Sequence, residues 1–232
     1  MLQQQGLTNV QLQLASSMQT PEETVVVFLG DLSQAFRIKH ELTEFVDRGG
    51  ALLVATDLGG NRNPVRLPWM YRSTFLAERM RFRAGDLFLA GYEDCPRVTR
   101  IAREAAPGLF GGVESLAANR PGYLRTSSEV QAVAWLPRAV GSDRAETLIA
   151  TAHRGTGRLL LIADHSLLIN EMLIHADNAR FASNVASWLT ENGRRKKLVF
   201  CQDNQLLPSW SFTGTPPAIP LKDLVRNVSK YG

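Results

Sequence analysis

Two short, almost wholly apolar runs, TVVVFLGD (24–31) and ALLVATD (51–57), constrain this chain more than any other feature. Both have strand length, and neither alternates polar with apolar residues, so each reads as a strand buried on two faces. That environment is the interior of a parallel sheet with helices on both sides. Between the runs, Ala35, Ile38, Leu42 and Phe45 recur at helical spacing while Arg37, Lys39, Glu41 and Glu44 face away. Gly49-Gly50 then provides a left-handed stop. Strand, helix and strand with short joins form a βαβ unit, whose crossover is right-handed almost without exception.

The 232 residues read as one α/β domain spanning 1–232, long enough to bury a substantial core. TNVQLQL (8–14) alternates as a half-buried strand does, and VQAVAWLP (130–137) reads as another. ETLIATAHRGTGRLLLIAD (146–164) reads as two strands around RGTGR, where Gly155 and Gly157 allow positive φ. A helix is expected from about Asn178 to Leu189, with Phe181, Ala182, Val185, Trp188 and Leu189 as its apolar stripe. A strand, KLVFC (197–201), and a last amphipathic segment, LKDLVRNVSKY (221–231), follow. Residues 58–130 read as an irregular insertion, an excursion from the sheet. GGNRNPVRLPW is loop-like, TFLAERMRF suggests a short helix and DLFLAG a short strand.

Composition and motifs exclude more than they assign. No stretch approaches 18 consecutive apolar residues, the length a membrane span needs. The start, MLQQQGLTNVQ, has neither the basic region nor the apolar core of a signal peptide. Cys95 and Cys201 lie far apart and suggest neither a disulfide framework nor structural zinc. Net charge is +4, and the densest basic run, GRRKK (193–197), follows a helix. Cations there complement the helix dipole, so the run reads as a solvated helix end and not as a nucleic-acid surface. RGTGR lacks phosphate-loop spacing, and neither Gly-Gly pair belongs to a GxGxxG. There is no GxSxG or GxCxG, and Cys95 follows two acids that work against its thiolate. No cofactor is implied.

The densest cluster of chemistry-bearing residues is ADHSLLINEMLIHADN (163–178). It lies at the carboxyl end of the LLLIAD strand, where open α/β sheets bind ligands. One reading takes Asp164, His165 and His175 as the centre of a metal-dependent hydrolase. The spacing argues against it, since there is no HExxH and the residues between the two His are apolar packing. The favoured reading is a strand-to-helix join in which Asp164 holds loop N–H groups and Asp177 or Asn178 caps the helix. The aromatic stretch LPWMYRSTF, with Trp69 and Tyr71, reads as the small core of a loop or as an exposed platform.

The stretches TVVVFLGDLSQAFRIKHELTEFVDRGGALLVATD and HRGTGRLLLIADHSLLINEMLIHADNARFASNVASWL together resemble the class I glutamine-amidotransferase-like superfamily. The branch most resembled is its uncharacterised membrane-anchored bacterial domains of unknown function, and more distantly the gliding-motility ABC-transporter accessory proteins. The resemblance implies a flavodoxin-like three-layer sandwich, with a mostly parallel sheet, helices on both faces and an upstream strand outside this chain. Active amidotransferases carry a cysteine after the strand that ALLVATD matches, whereas the turn here reads Thr56-Asp57-Leu58-Gly59. The expectation is therefore a non-catalytic domain binding a protein partner or small ligand, possibly within a membrane transport or assembly complex, and no nucleic acid. The resemblance also implies an extracytoplasmic soluble domain that meets a membrane only through segments outside this chain. Its expected working surface is the carboxyl edge, lined by Asp31, Thr56, Asp57, Asp164 and His165, with Trp69 and Tyr71 on an overhanging loop.

Overall fold

The computed structural model describes residues 14, 16–32, 35, 37–57, 65–67, 73–76, 80–202, 205–206 and 210–211. Its strands are β1 (Thr24–Leu29), β2 (Ala51–Ala55), β3 (Val65–Leu67), β4 (Ser73–Leu76), β5 (Arg97–Val98), β6 (Arg100–Ile101) and β7 (Leu116–Ala117). After these come β8 (Tyr123–Arg125), β9 (Gln131–Trp135), β10 (Thr147–Arg154), β11 (Gly157–Ile162), β12 (Lys197–Gln202), β13 (Gln205–Leu206) and β14 (Trp210–Ser211). The helices are α1 (Lys39–Asp47), α2 (Pro107–Phe110), α3 (Asn170–Leu173) and α4 (Asn178–Thr190).

The centre of the sheet is parallel, in the order β12-β1-β2-β11. All of β2, and β1 as far as Phe28, is buried, which is why those runs carry no polar alternation. The paths β1–α1–β2 and β11–α4–β12 cross the sheet in opposite directions, so right-handed crossovers set α1 and α4 on opposite faces. On the α4 face, Val185 and Leu189 meet Val25, Val27 and Leu53 around a small apolar cavity of about 170 Å³.

Outside that centre the sheet differs from expectation. The β10–β11 hairpin reverses the chain, and β8, β9, β4, β3 and β6 continue from it antiparallel. β13 and β14 pair antiparallel with β12 at the other edge. The sheet is therefore mixed α/β, with a parallel core and antiparallel arms, and not the mostly parallel sheet expected. The stretch read as an excursion supplies β3, β4, β6 and β8 to the same sheet. These strands are two to four residues long, too short to display a period. Within TFLAERMRF the described residues 74–76 are strand, not helix. Leu87, in DLFLAG, makes only an isolated bridge to Pro96. The strand expected at 8–14 lies outside the described residues except Leu14, which is helical and buried, and LKDLVRNVSKY lies outside them entirely.

Both crossover helices end in the same way. At α1, Gly49 takes φ +100° and the Gly50 N–H donates to the Phe45 carbonyl at 2.9 Å, the pattern of a glycine-stopped helix. At α4 the left-handed residues are Glu191 (φ +49°) and Asn192 (φ +55°), side-chain-bearing residues for which that conformation costs roughly 1–2 kcal/mol each. The Glu191 carboxylate is held there by Arg158 Nε at 3.2 Å, by Arg195 Nη1 at 3.0 Å and by Arg194.

Arg194 and Lys196 are exposed, as a solvated helix end would be, but Arg195 between them is only 1% exposed. Its Nη1 donates to the Leu189 carbonyl at 3.0 Å, and its Nη2 to those of Gly49 at 2.9 Å and Thr156 at 2.8 Å. One guanidinium thus joins the ends of α1 and α4 to the β10–β11 turn. In that turn Gly155 does take positive φ (+57°). Gly157 does not, and is required for another reason: a Cβ there would lie 1.9 Å from the Val46 carbonyl oxygen. Replacing Arg195 by Met removes the shared donor to the Leu189, Gly49 and Thr156 carbonyls, the first two bonds buried, and one of the three cations on Glu191, and should cost about 3–5 kcal/mol in urea unfolding. Arg195→Lys should recover only part of it, because an ammonium lacks the planar fork. A loss near zero for Arg195→Met would show that the carbonyls do not depend on it.

Candidate functional site

The join that follows β11 is built around backbone groups of residues 114–119. Asp164 is fully buried. Its Oδ1 accepts from the Ser166 N–H at 2.8 Å, capping the short turn His165–Leu168, and its Oδ2 accepts from the Asn119 N–H at 2.8 Å. Asp177 precedes α4 but makes no capping bond with its side chain. Instead its Oδ2 accepts from the N–H groups of Glu114 (2.9 Å) and Ser115 (3.1 Å). Asn178, also fully buried, treats Ala117 as a strand partner would: Oδ1 accepts from its N–H at 3.0 Å, and Nδ2 donates to its carbonyl at 2.9 Å. The same Nδ2 donates to the Met172 carbonyl at 2.9 Å. These three polar side chains lace one segment to the end of the sheet.

Of the residues expected at the carboxyl edge, the fold brings Asp57 and His165 together, with Oδ1 and Nδ1 3.2 Å apart and the side chains 26% and 30% exposed. Thr56 is buried, its N–H bonded to the Ile162 carbonyl at 3.0 Å. Asp164 lies buried next to His165, and Asp31 is exposed just beyond the neighbouring β1. Trp69 and Tyr71 lie outside the described residues. His175 packs its ring on Phe88, with centroids 4.7 Å apart. Among the described residues no group of three or more His, Cys, Asp or Glu is placed to hold a metal ion. Cys95 sits 3.4 Å from Asn119 Oδ1, and burial, then the Asp94 charge, push its thiol up.

The sequence reading missed a second concavity, at the opposite, amino edge of the parallel strands. It has a volume of about 450 Å³ and is lined by Ala106, Pro107, His153, Arg158, Trp188 and Glu191 among others. Arg158 lies over the Trp188 ring at 5.0 Å and donates Nη1 to the Trp188 carbonyl, while His153 meets the ring edge-on at 5.4 Å. These residues come from β10, β11 and the end of α4, and no local spacing in the sequence links them.

The two join carboxylates respond to pH in opposite directions. Burial pushes Asp164 up to about 6, its hydrogen bonds from Ser166 and Asn119 opposing and the Asp57 charge adding to the rise. Its contribution to stability is full below the ordinary carboxyl range and is lost as pH rises through about 6. The Ser115 and Glu114 N–H groups hold Asp177 below the usual range, so its contribution is present above that range and lost on acidification. Urea unfolding should therefore show Asp164→Asn costing more near about pH 4 than about pH 7, and Asp177→Asn the reverse. Parallel pH profiles for the two variants would contradict these environments.

Comparison with known proteins adds fold and family. The mmIFT52 N-terminal domain superposes with a TM-score of 0.52 at 13% identity, covering 80% of this chain and 90% of that one, a likeness of fold alone. A beta-galactosidase from Bacillus circulans sp. alkalophilus aligns over 73% of this chain but 23% of its own, at 14% identity and a TM-score of 0.40. The Cytoplasmic Protein STM3548 from Salmonella typhimurium aligns over 61% and 60%, at 16% identity and 0.36. No curated protein matches. The resemblance to the glutamine-amidotransferase-like superfamily is overturned, because the family model that matches, over residues 1–186, is a different one. The strand–helix–strand and strand–join–helix patterns that carried it belong to parallel α/β sheets in general. The chain is a member of the family described as Domain of unknown function (DUF4350).

Proposed function

We propose that this domain is a non-catalytic binding module whose working surface is the carboxyl edge of the parallel strands around Asp57 and His165. The observation that carries this reading is the contrast in how polar groups are used at that edge. Asp164, Asp177 and Asn178 bind backbone groups of the 114–119 segment, whereas the paired Asp57 and His165 side chains reach the surface, 26% and 30% exposed. This is the position at which open α/β sheets take ligands. A protein partner or small ligand offering hydrogen-bond donors suits it, since Asp31 and Asp57 are acceptors and His165 can accept through one ring nitrogen.

A binding role is favoured over a hydrolase centred on Asp164, His165 and His175 because Asp164 is buried and committed and the His175 ring packs at a tilt against Phe88. Among the described residues no helix is long and apolar enough to cross a membrane. The test is amide-resolved NMR of the full chain against a panel of short peptides and small amines, with ester and phosphoester turnover assayed in parallel. Perturbations are expected to centre on Gly30, Asp57 and His165, to vanish in Asp57→Asn, and to come with no turnover. Metal-dependent turnover lost in His165→Ala would overturn the proposal.

A further inference from the structure

We propose that the cavity at the amino edge is a second site, which binds a small anion: a carboxylate or phosphate group on a compact apolar body. Its volume, about 450 Å³, falls in the range of small-molecule sites, roughly 300–1,000 Å³. The ion cluster at its wall is net positive, since three guanidiniums, of which Arg158 lines the cavity and Arg194 and Arg195 lie behind it, converge on the single carboxylate of Glu191. Arg195 is inside the protein with both Nη groups engaged by carbonyls, and Arg194 takes the other oxygen of Glu191. Arg158 therefore shares its counter-charge with two competitors. Its Nε and Nη1 are committed to Glu191 and the Trp188 carbonyl, and among the described residues Nη2 has no partner.

His153 lines the same cavity. Burial and the Arg158 charge hold its imidazole below the usual range, so at neutral pH it is uncharged and keeps one N–H to donate. A guanidinium edge and an imidazole N–H together suit an oxyanion. Ala106 and Pro107 supply an apolar wall for whatever carries it. Trp188, 9% exposed, forms a packed floor and is not open to stacking.

The experiment is a thermal-unfolding titration of the full chain with inorganic phosphate and with benzoate, each matched in ionic strength by chloride. A ligand that binds only the folded state raises the midpoint saturably. The expected result is such a rise with at least one of the two anions and none with chloride. Asp57→Asn should leave it unchanged, and Arg158→Gln should weaken it about tenfold or more. No saturable rise with either anion, or an unchanged titration in Arg158→Gln, would overturn the site. If Arg158→Gln does not fold, NMR of the unaltered chain decides. Shifts centred on the Trp188 indole N–H, His153 and Asn192 support the site, and shifts centred anywhere else overturn it.

Discussion

The buried guanidinium of Arg195 is the interaction on which the rest of the structure depends. In a parallel sheet the crossover helices run against the strands, so α1 and α4 both end at the amino edge. Helix ends leave carbonyls without intrahelical partners and carry the negative pole of the dipole. Arg195 answers both problems at one point, taking carbonyls from Leu189, Gly49 and the hairpin residue Thr156. Glu191 neutralises it from a left-handed position that the arginines in turn stabilise. Burial raises the Glu191 carboxyl, but Arg195, Arg158 and Arg194 outweigh it and hold the group below its ordinary range. Arg195 is the member of this cluster that lies inside the protein, and a linked set of bonds of this kind is worth more than the sum of its pairs.

The same polarity organises the other edge. There the strands finish and the chain turns into helices, and acidic residues gather: Asp31, Asp57, Asp164 and Asp177. Two of these are used to bind the 114–119 segment through backbone N–H groups, with Asn178 completing the lacing. That segment leads through the Gly122 N–H, bonded to the Ala163 carbonyl at 2.8 Å, into β8 and the antiparallel arm. The polar join is thus the hinge between the parallel core and the rest of the sheet. What it leaves partly open is the Asp57–His165 pair.

The parts of the fold legible in the sequence are those with a strong period or a long apolar run. β1, α1, β2, the β10–β11 hairpin, α4 and β12 all stand where the residues place them, and the stripe Phe181, Val185, Trp188 and Leu189 is buried. The join was legible as a join because its His residues are ten apart with apolar residues between. Its partners were not, since the bonds from Asp177 to Glu114 and from Asn178 to Ala117 span some sixty residues. Arg195 was misread for a related reason: a cation after a helix is ordinarily solvated, and only the meeting of three distant chain segments buries it. The antiparallel arm escaped notice because strands of two to four residues carry no pattern.

The most direct measurement compares the unfolding free energies of Asn178→Ala and His165→Ala in urea at neutral pH. If the join is structural and the open pair is kept for binding, Asn178→Ala removes the side-chain partner of the Ala117 N–H and carbonyl and should cost about 2 kcal/mol or more. His165→Ala, at a partly exposed pair, should cost no more than about 1 kcal/mol. A His165→Ala variant that loses as much stability as Asn178→Ala would contradict the division between lacing and working surface, and would make the Asp57–His165 pair another part of the join.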